Sequence, residues 1–144
     1  MTGLTIHELV VGQSDEFSKT LSESDIYQFA GITGDFNCAH INREYSATSY
    51  FKKRIAHGLL SASFISTVIG MKLPGNGTVY VEQEFKFLAP AYIGDTITAR
   101  VEVLDINIAG NRVRMITRCF NQHNQMVVDG TAVVSPPKRK RAEG

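Results

Sequence analysis

The sequence predicts an α+β fold in which a curved antiparallel sheet wraps around one buried helix. Three observations lead there. Residues 59–71 are apolar or small all the way round and carry no charge before Lys72, as a helix buried on every side requires. Four later segments alternate apolar and polar residues with a period of two, so each should have one dry and one wet face. Helical patterns come first and strands follow as a run, which indicates α+β rather than an alternating parallel arrangement.

Taken in order, a strand is expected over 16–20. Ser22 or Ser24 can cap a helix whose stripe is Ile26, Phe29 and Ala30, and Gly31 or Gly34 can stop it. The segment Asp35-Phe36-Asn37-Cys38-Ala39-His40 then leaves the helix as a loop, and Asn37, Cys38 and Asn42 suit that state. A short helix is expected over 44–51, anchored by Tyr45, Tyr50 and Phe51, followed by exposed chain at Lys52, Lys53 and Arg54. His57-Gly58 opens the buried helix, and Pro74-Gly75 and Gly77 end it.

In the strand region, Val79, Val81, Phe85 and Phe87 should share the apolar face of the first segment. Ile97, Ala99, Val101 and Val103 do so in the second, and Val113, Met115, Thr117 and Cys119 in the third. Met126, Val128, Ala132 and Val134 close the series. Gly94-Asp95, Ala109-Gly110-Asn111 and His123-Asn124 carry hairpin chemistry.

The 144 residues fit a single domain over 1–135, with residues 136–144 as a basic tail expected to be disordered. A net charge of +1 singles out neither nucleic acid nor an anionic membrane as partner. Cys38 and Cys119 form no disulfide framework or metal-binding spacing and are expected to be free thiols in a reducing compartment. No secretory signal or membrane span is visible, so the cytoplasm is the expected location.

The residues that suggest chemistry are Asp35 and His40. Five residues apart, they do not share one helical face, but a turn can bring them together. A carboxylate and an imidazole on one water can divide the work of moving protons. Gly58, at the start of the buried helix, can offer a backbone N–H to a developing negative charge and lets a ligand approach closely. With His57, the pair shows no recognised metal-ligand spacing, and there is no glycine-rich phosphate loop.

The helix, the Asp35-to-His40 turn, the His-Gly helix start and the four alternating strands together resemble the MaoC-like family of hot-dog-fold proteins. The nearest likeness is to its (R)-specific enoyl-CoA hydratases. The resemblance runs over about residues 11–134 and includes Ala56-His57-Gly58-Leu59 and Phe85-Lys86-Phe87-Leu88-Ala89-Pro90 followed by Gly94-Asp95. The family motif is usually Asp-Phe-Asn-Pro-x-His, so Cys38 stands where proline is typical.

This resemblance implies a hydro-lyase that reversibly hydrates trans-2-enoyl-CoA to (R)-3-hydroxyacyl-CoA in fatty acid or short-chain acyl-CoA metabolism. It implies Asp35 and His40 as the acid/base pair, in either division of roles, and Gly58 as oxyanion donor. Asn37 is expected to support the turn, and Ser66 to bond Asp35 from inside the helix. Lys53 and Arg54 are candidates for the coenzyme A phosphates. The expected partners are an acyl-CoA thioester and a second copy of the chain, as a homodimer with sheets joined edge to edge or a higher oligomer. No cofactor is expected beyond the coenzyme A of the substrate. The alternatives are a 3-hydroxyacyl-carrier-protein dehydratase, a thioester hydrolase of the same fold, or a non-enzymatic acyl-CoA-binding subunit. Hydrolysis is disfavoured because no Asp or Glu occurs over 55–71.

Overall fold

The computed structural model describes residues 1–139, and its order of elements is that of an α+β chain. A 3-10 turn at Ile6–Glu8 precedes strand β1 (Ser14–Thr20) and helix α1 (Glu23–Thr33). Two short helices follow, α2 (Cys38–Ile41) and α3 (Arg43–Thr48), and then the long helix α4 (Gly58–Met71). Strands β2 (Val79–Phe87), β3 (Thr96–Asn107), β4 (Arg112–Phe120) and β5 (Met126–Ser135) complete the chain. Every pairing is antiparallel, in the order β1-β3-β4-β5-β2.

The sheet curls around α4, which packs against β1, β3, β4 and β5. Ile65 and Val68 of α4 are fully buried, as are Ile97, Ala99 and Val101 of β3 and Val113, Met115 and Cys119 of β4. Each such aliphatic side chain removed from water contributes roughly 1.5–3 kcal/mol. This is the predicted hot-dog core, and its period-two strands β3 and β4 face α4 as expected.

Two expectations about exposure change. First, α4 is not buried all round: Leu59, Ser63, Ser66 and Met71 lie on an exposed stripe where no strand of the sheet covers the helix. Second, β2 breaks its alternation. Its register with β5 shifts between Tyr80 and Glu82, so Val81 is an extra residue. Directly paired residues share a face. Tyr80 therefore joins the buried Val134 on the inner face, and beyond the shift Gln83, Phe85 and Phe87 follow it there. Val79 pairs with Ser135 on the outer face, and both Val79 and Val81 are exposed. A bulge that reverses the phase of a strand cannot be seen from its period alone.

The Gly94-Asp95 turn is also no hairpin, because β2 and β3 are not neighbours. It folds back on Tyr92, whose N–H donates to the Asp95 carboxylate at 2.9 Å. Within the expected tail, Pro136 and Pro137 are buried and Arg139 pairs with Glu8 at 2.9 Å. Residues 140–144 lie outside the described residues.

Candidate active site

Helix α1 delivers Asp35. Ser22 caps it, accepting from the Asp25 N–H at 3.0 Å, while the Asp25 carboxylate accepts from the Ser22 N–H at 2.9 Å. The helix runs through Gly31 and stops at Gly34, whose φ of 79° is the left-handed conformation that glycine adopts freely. The chain then turns, and the Asn37 N–H donates to Asp35 Oδ1 at 3.2 Å. Asn37 Oδ1 in turn accepts from the Ala39 N–H at 3.0 Å and so caps α2. The segment expected as a loop is thus a turn followed by one turn of helix, with His40 on that helix. Asn42 repeats the device, accepting from the Tyr45 N–H at 2.9 Å to start α3, which ends at Thr48, short of the expected Phe51.

His40 Nδ1 lies 2.8 Å from the Ile55 carbonyl oxygen. A carbonyl only accepts, so Nδ1 carries the proton and the Nε2 lone pair is left available. His57 Nε2 donates in the same way to the Asp35 backbone carbonyl at 2.9 Å. The His57 ring is 2% exposed and stacks on the His40 ring with centroids 3.9 Å apart, while Phe29 packs on it at 4.9 Å. As a result a carboxylate oxygen of Asp35 and one ring nitrogen each of His40 and His57 lie within 4.8 Å of one another. Three such ligand atoms could also hold a cation, a grouping that the sequence spacing does not reveal.

Burial holds the His40 imidazole below its ordinary pKa, and the adjacent His57 pushes the same way. The hydrogen bond to Ile55 and the charge of Asp35 oppose this without reversing it. His40 is therefore poised as a neutral imidazole with an open Nε2.

The N-terminus of α4 faces this pair across a cleft of about 720 Å³. The His57 carbonyl accepts from the Leu60 N–H, and nothing among the described residues accepts from the Gly58 N–H. That N–H carries the positive end of the helix dipole. A Cβ at Gly58 would lie 2.7 Å from Phe87 Cδ1, so glycine is what lets the β2 end close over the helix start. The apolar wall of the cleft comes from Phe87, Leu88, Val127 and Val128.

Asp35, His40 and Gly58 thus line one cleft, and Asn37 holds the turn between the first two through its Oδ1 bond to the Ala39 N–H. Other expectations do not hold. Ser66 is exposed on the outer stripe of α4 and does not reach Asp35. The support for Asp35 comes from His57, whose sequence position just before Gly58 was the available signal. Ser63, expected to be buried, is exposed and donates to the Leu60 carbonyl. Ser61 is buried and lines the cleft, and its hydroxyl has no partner among the described residues.

Arg54 is not an exposed cation. Its Nε donates to the His40 carbonyl at 2.7 Å, and its Nη1 pairs with Glu23 at 2.6 Å over the Tyr27 ring. Those contacts tie α1 to α2 and leave Arg54 committed within the fold. Lys53 remains exposed, with its ammonium 4.1 Å from the Tyr92 ring centroid. Among the described residues no helix is long and apolar enough to cross a membrane.

Residues 8–125 match the sequence profile described as the MaoC like domain. The chain is 50% identical over 128 residues to an (R)-specific enoyl-CoA hydratase of Rhodospirillum rubrum, covering 89% of this chain and 88% of that protein. It is 40% identical over 140 residues to a 3-hydroxybutyryl-CoA dehydratase of Methylorubrum extorquens, covering 97% and 88%. Among solved structures, the R-hydratase PhaJ1 of Pseudomonas aeruginosa in its unliganded form superposes with a TM-score of 0.90 at 42% identity, covering 99% of this chain and 94% of that one.

Proposed function

The chain belongs to the MaoC-like domain family, and on that premise we propose that it is a hydro-lyase adding water to trans-2-enoyl-CoA to give (R)-3-hydroxyacyl-CoA, reversibly. The observation that carries the reading is the Asp35 carboxylate and a His40 ring nitrogen within 4.8 Å of each other, facing the free N–H of Gly58 across an apolar cleft.

That separation admits one water bonded to both groups. The pair takes a proton from the water as its oxygen bonds to C3 of the enoyl group. Negative charge moves to the thioester oxygen, where the Gly58 N–H and the α4 dipole receive it. A preorganised donor of this kind lowers a barrier by ~3 kcal/mol. A proton returned to C2 from the same pair completes the addition. The (R) product is the stereochemistry named for the relatives. The proton steps are complete with these groups and the substrate, so no cofactor enters the proposal. Lys53, exposed beside the cleft-lining Phe51 and Ile55, is the cation offered to coenzyme A phosphates.

We place the protein in short-chain or fatty acyl-CoA metabolism, in keeping with the 3-hydroxybutyryl-CoA named for one relative. A reducing compartment such as the cytoplasm suits the free, exposed Cys38. The proposed assembly is a homodimer. Strand β2 is an open edge of the sheet, and Val79, Val81, Phe87 and Leu88 are exposed along or just beyond it. An unpaired apolar edge of this kind needs a partner strand, and a second β2 supplies one. Sedimentation at working concentration tests this, and a monomer would remove it.

The reaction is tested by following loss of the enoyl-thioester absorbance of crotonyl-CoA. Asp35→Asn and His40→Ala should each lower kcat by about 10²–10⁴-fold. Folded variants with rates near wild type would refute the assignment.

A further inference from the structure

Ser61 sits three residues after Gly58, on the same face of α4. It is 2% exposed, it lines the cleft, and its Oγ has no hydrogen-bond partner among the described residues. A buried hydroxyl is rarely left so, because its desolvation is then uncompensated. A helical serine ordinarily bonds back to the carbonyl four residues earlier. Here that acceptor is the His57 carbonyl, which already receives the Leu60 N–H at 3.0 Å.

Side chains on a helix lean toward its N-terminus, so the Ser61 hydroxyl leans over the turn that begins at Gly58. Its own backbone is pinned from the sheet, since Cys119 Sγ lies 3.4 Å from the Ser61 carbonyl oxygen as a thiol donor. The nearby cleft wall is apolar, formed by Phe87, Leu88, Val127 and Val128. The enoyl-thioester group of such a substrate carries a single oxygen, and the Gly58 N–H is placed to receive it.

We infer that the Ser61 hydroxyl is a second hydrogen-bond donor to that thioester oxygen, acting beside the Gly58 N–H. This rests on the enoyl-thioester reading of the cleft. It makes Ser61 a catalytic residue whose bond strengthens as charge builds on the oxygen. The same bond satisfies the hydroxyl only when substrate is bound.

The test compares wild type with Ser61→Ala, and Asp35→Asn with the Asp35→Asn/Ser61→Ala double variant. The first comparison reads kcat, KM and the thermal midpoint with crotonyl-CoA. The second reads the carbonyl stretch of bound crotonyl-CoA carrying carbon-13 at C1. The expected result is a kcat lowered about 10²–10³-fold with KM little changed, and a carbonyl stretch that moves back toward its value in water. A purely structural hydroxyl predicts the reverse pattern: an unchanged rate and stretch, with a raised midpoint because an unsatisfied polar group has gone. That result overturns the inference, as does a fall in kcat with the stretch unmoved. If wild type binds crotonyl-CoA without hydrating it, the reaction proposed above fails while the stretch still decides the role of Ser61. If it does not bind, both fall.

Discussion

The His57 ring lies stacked on the His40 ring with centroids 3.9 Å apart, and the same His57 donates through Nε2 to the Asp35 carbonyl. One buried side chain therefore sets the positions of both members of the pair from beneath. It also belongs to the residue that precedes Gly58, so the helix start and the acid/base pair are registered to each other through a single residue.

Replacing His57 by Phe keeps a ring in the stack and removes the donor to Asp35. The fold should persist, since the orphaned Nδ1 of His57 goes as well. Misplacing a reacting group by an ångström can cost about 100-fold in rate, and a fall in kcat approaching that size is expected. Steady-state kinetics beside circular dichroism checks it, and full activity in His57→Phe would show that His57 does not position the pair.

The depressed pKa of His40 fixes the sign of two pH effects. The native state favours the neutral imidazole more than the unfolded chain does, so the stabilising contribution is present above the ordinary histidine value of 6.5. It is lost as pH falls from there through the lower folded value. The acid limb of kcat/KM should accordingly lie below pH 6.5. Thermal midpoints measured against pH should show a loss over the same range that is smaller in His40→Gln. An acid limb above that value would contradict the burial seen here.

Gly58→Ala tests the closeness of β2 to the helix start. Alanine is the better helix former by up to about 1 kcal/mol, so the fold should survive. The new Cβ would meet Phe87 at 2.7–2.8 Å and drive its ring aside, disturbing the cleft. Activity should drop about 100-fold and recover in part in Gly58→Ala/Phe87→Ala. No recovery would locate the damage elsewhere.

Cys38 occupies the first position of α2, where a helix accepts proline most readily. Asn37 already has φ −53° and ψ 131°, the region that a following proline requires. Cys38→Pro should therefore be tolerated and raise stability by about 0.4–1 kcal/mol, with kcat unchanged, as chemical denaturation and kinetics would show. Destabilisation would mean that the turn depends on a Cys38 N–H contact.

The sequence made the site legible to different depths. Asp35, His40 and Gly58 were accessible because they fall in short motifs whose spacing survives without knowledge of packing. The β3 and β4 faces were accessible because period-two burial is a local property. The exposure of Ser66 is not legible, because the exposed stripe of α4 depends on which strands reach it, and that is a property of the sheet. Arg54 read as free because its partners, Glu23 and the His40 carbonyl, come from other segments of the chain. The phase change at Val81 is a backbone event with no side-chain signature.

The strand order gives the cleft a late place in the assembly of the molecule. Strands β3, β4 and β5 follow one another through short turns, but β2 must pair with β5 across that whole meander. The wall of the cleft is made where they meet, and the Leu88 N–H donates to the Val127 carbonyl there at 2.9 Å. Contacts between such distant segments carry the larger loop-closure cost and tend to form last. A chain with its meander already zipped would still have no place for a thioester. A ligand in the finished cleft thus acts on the exit from the native state: it slows unfolding and leaves the rate of folding nearly untouched.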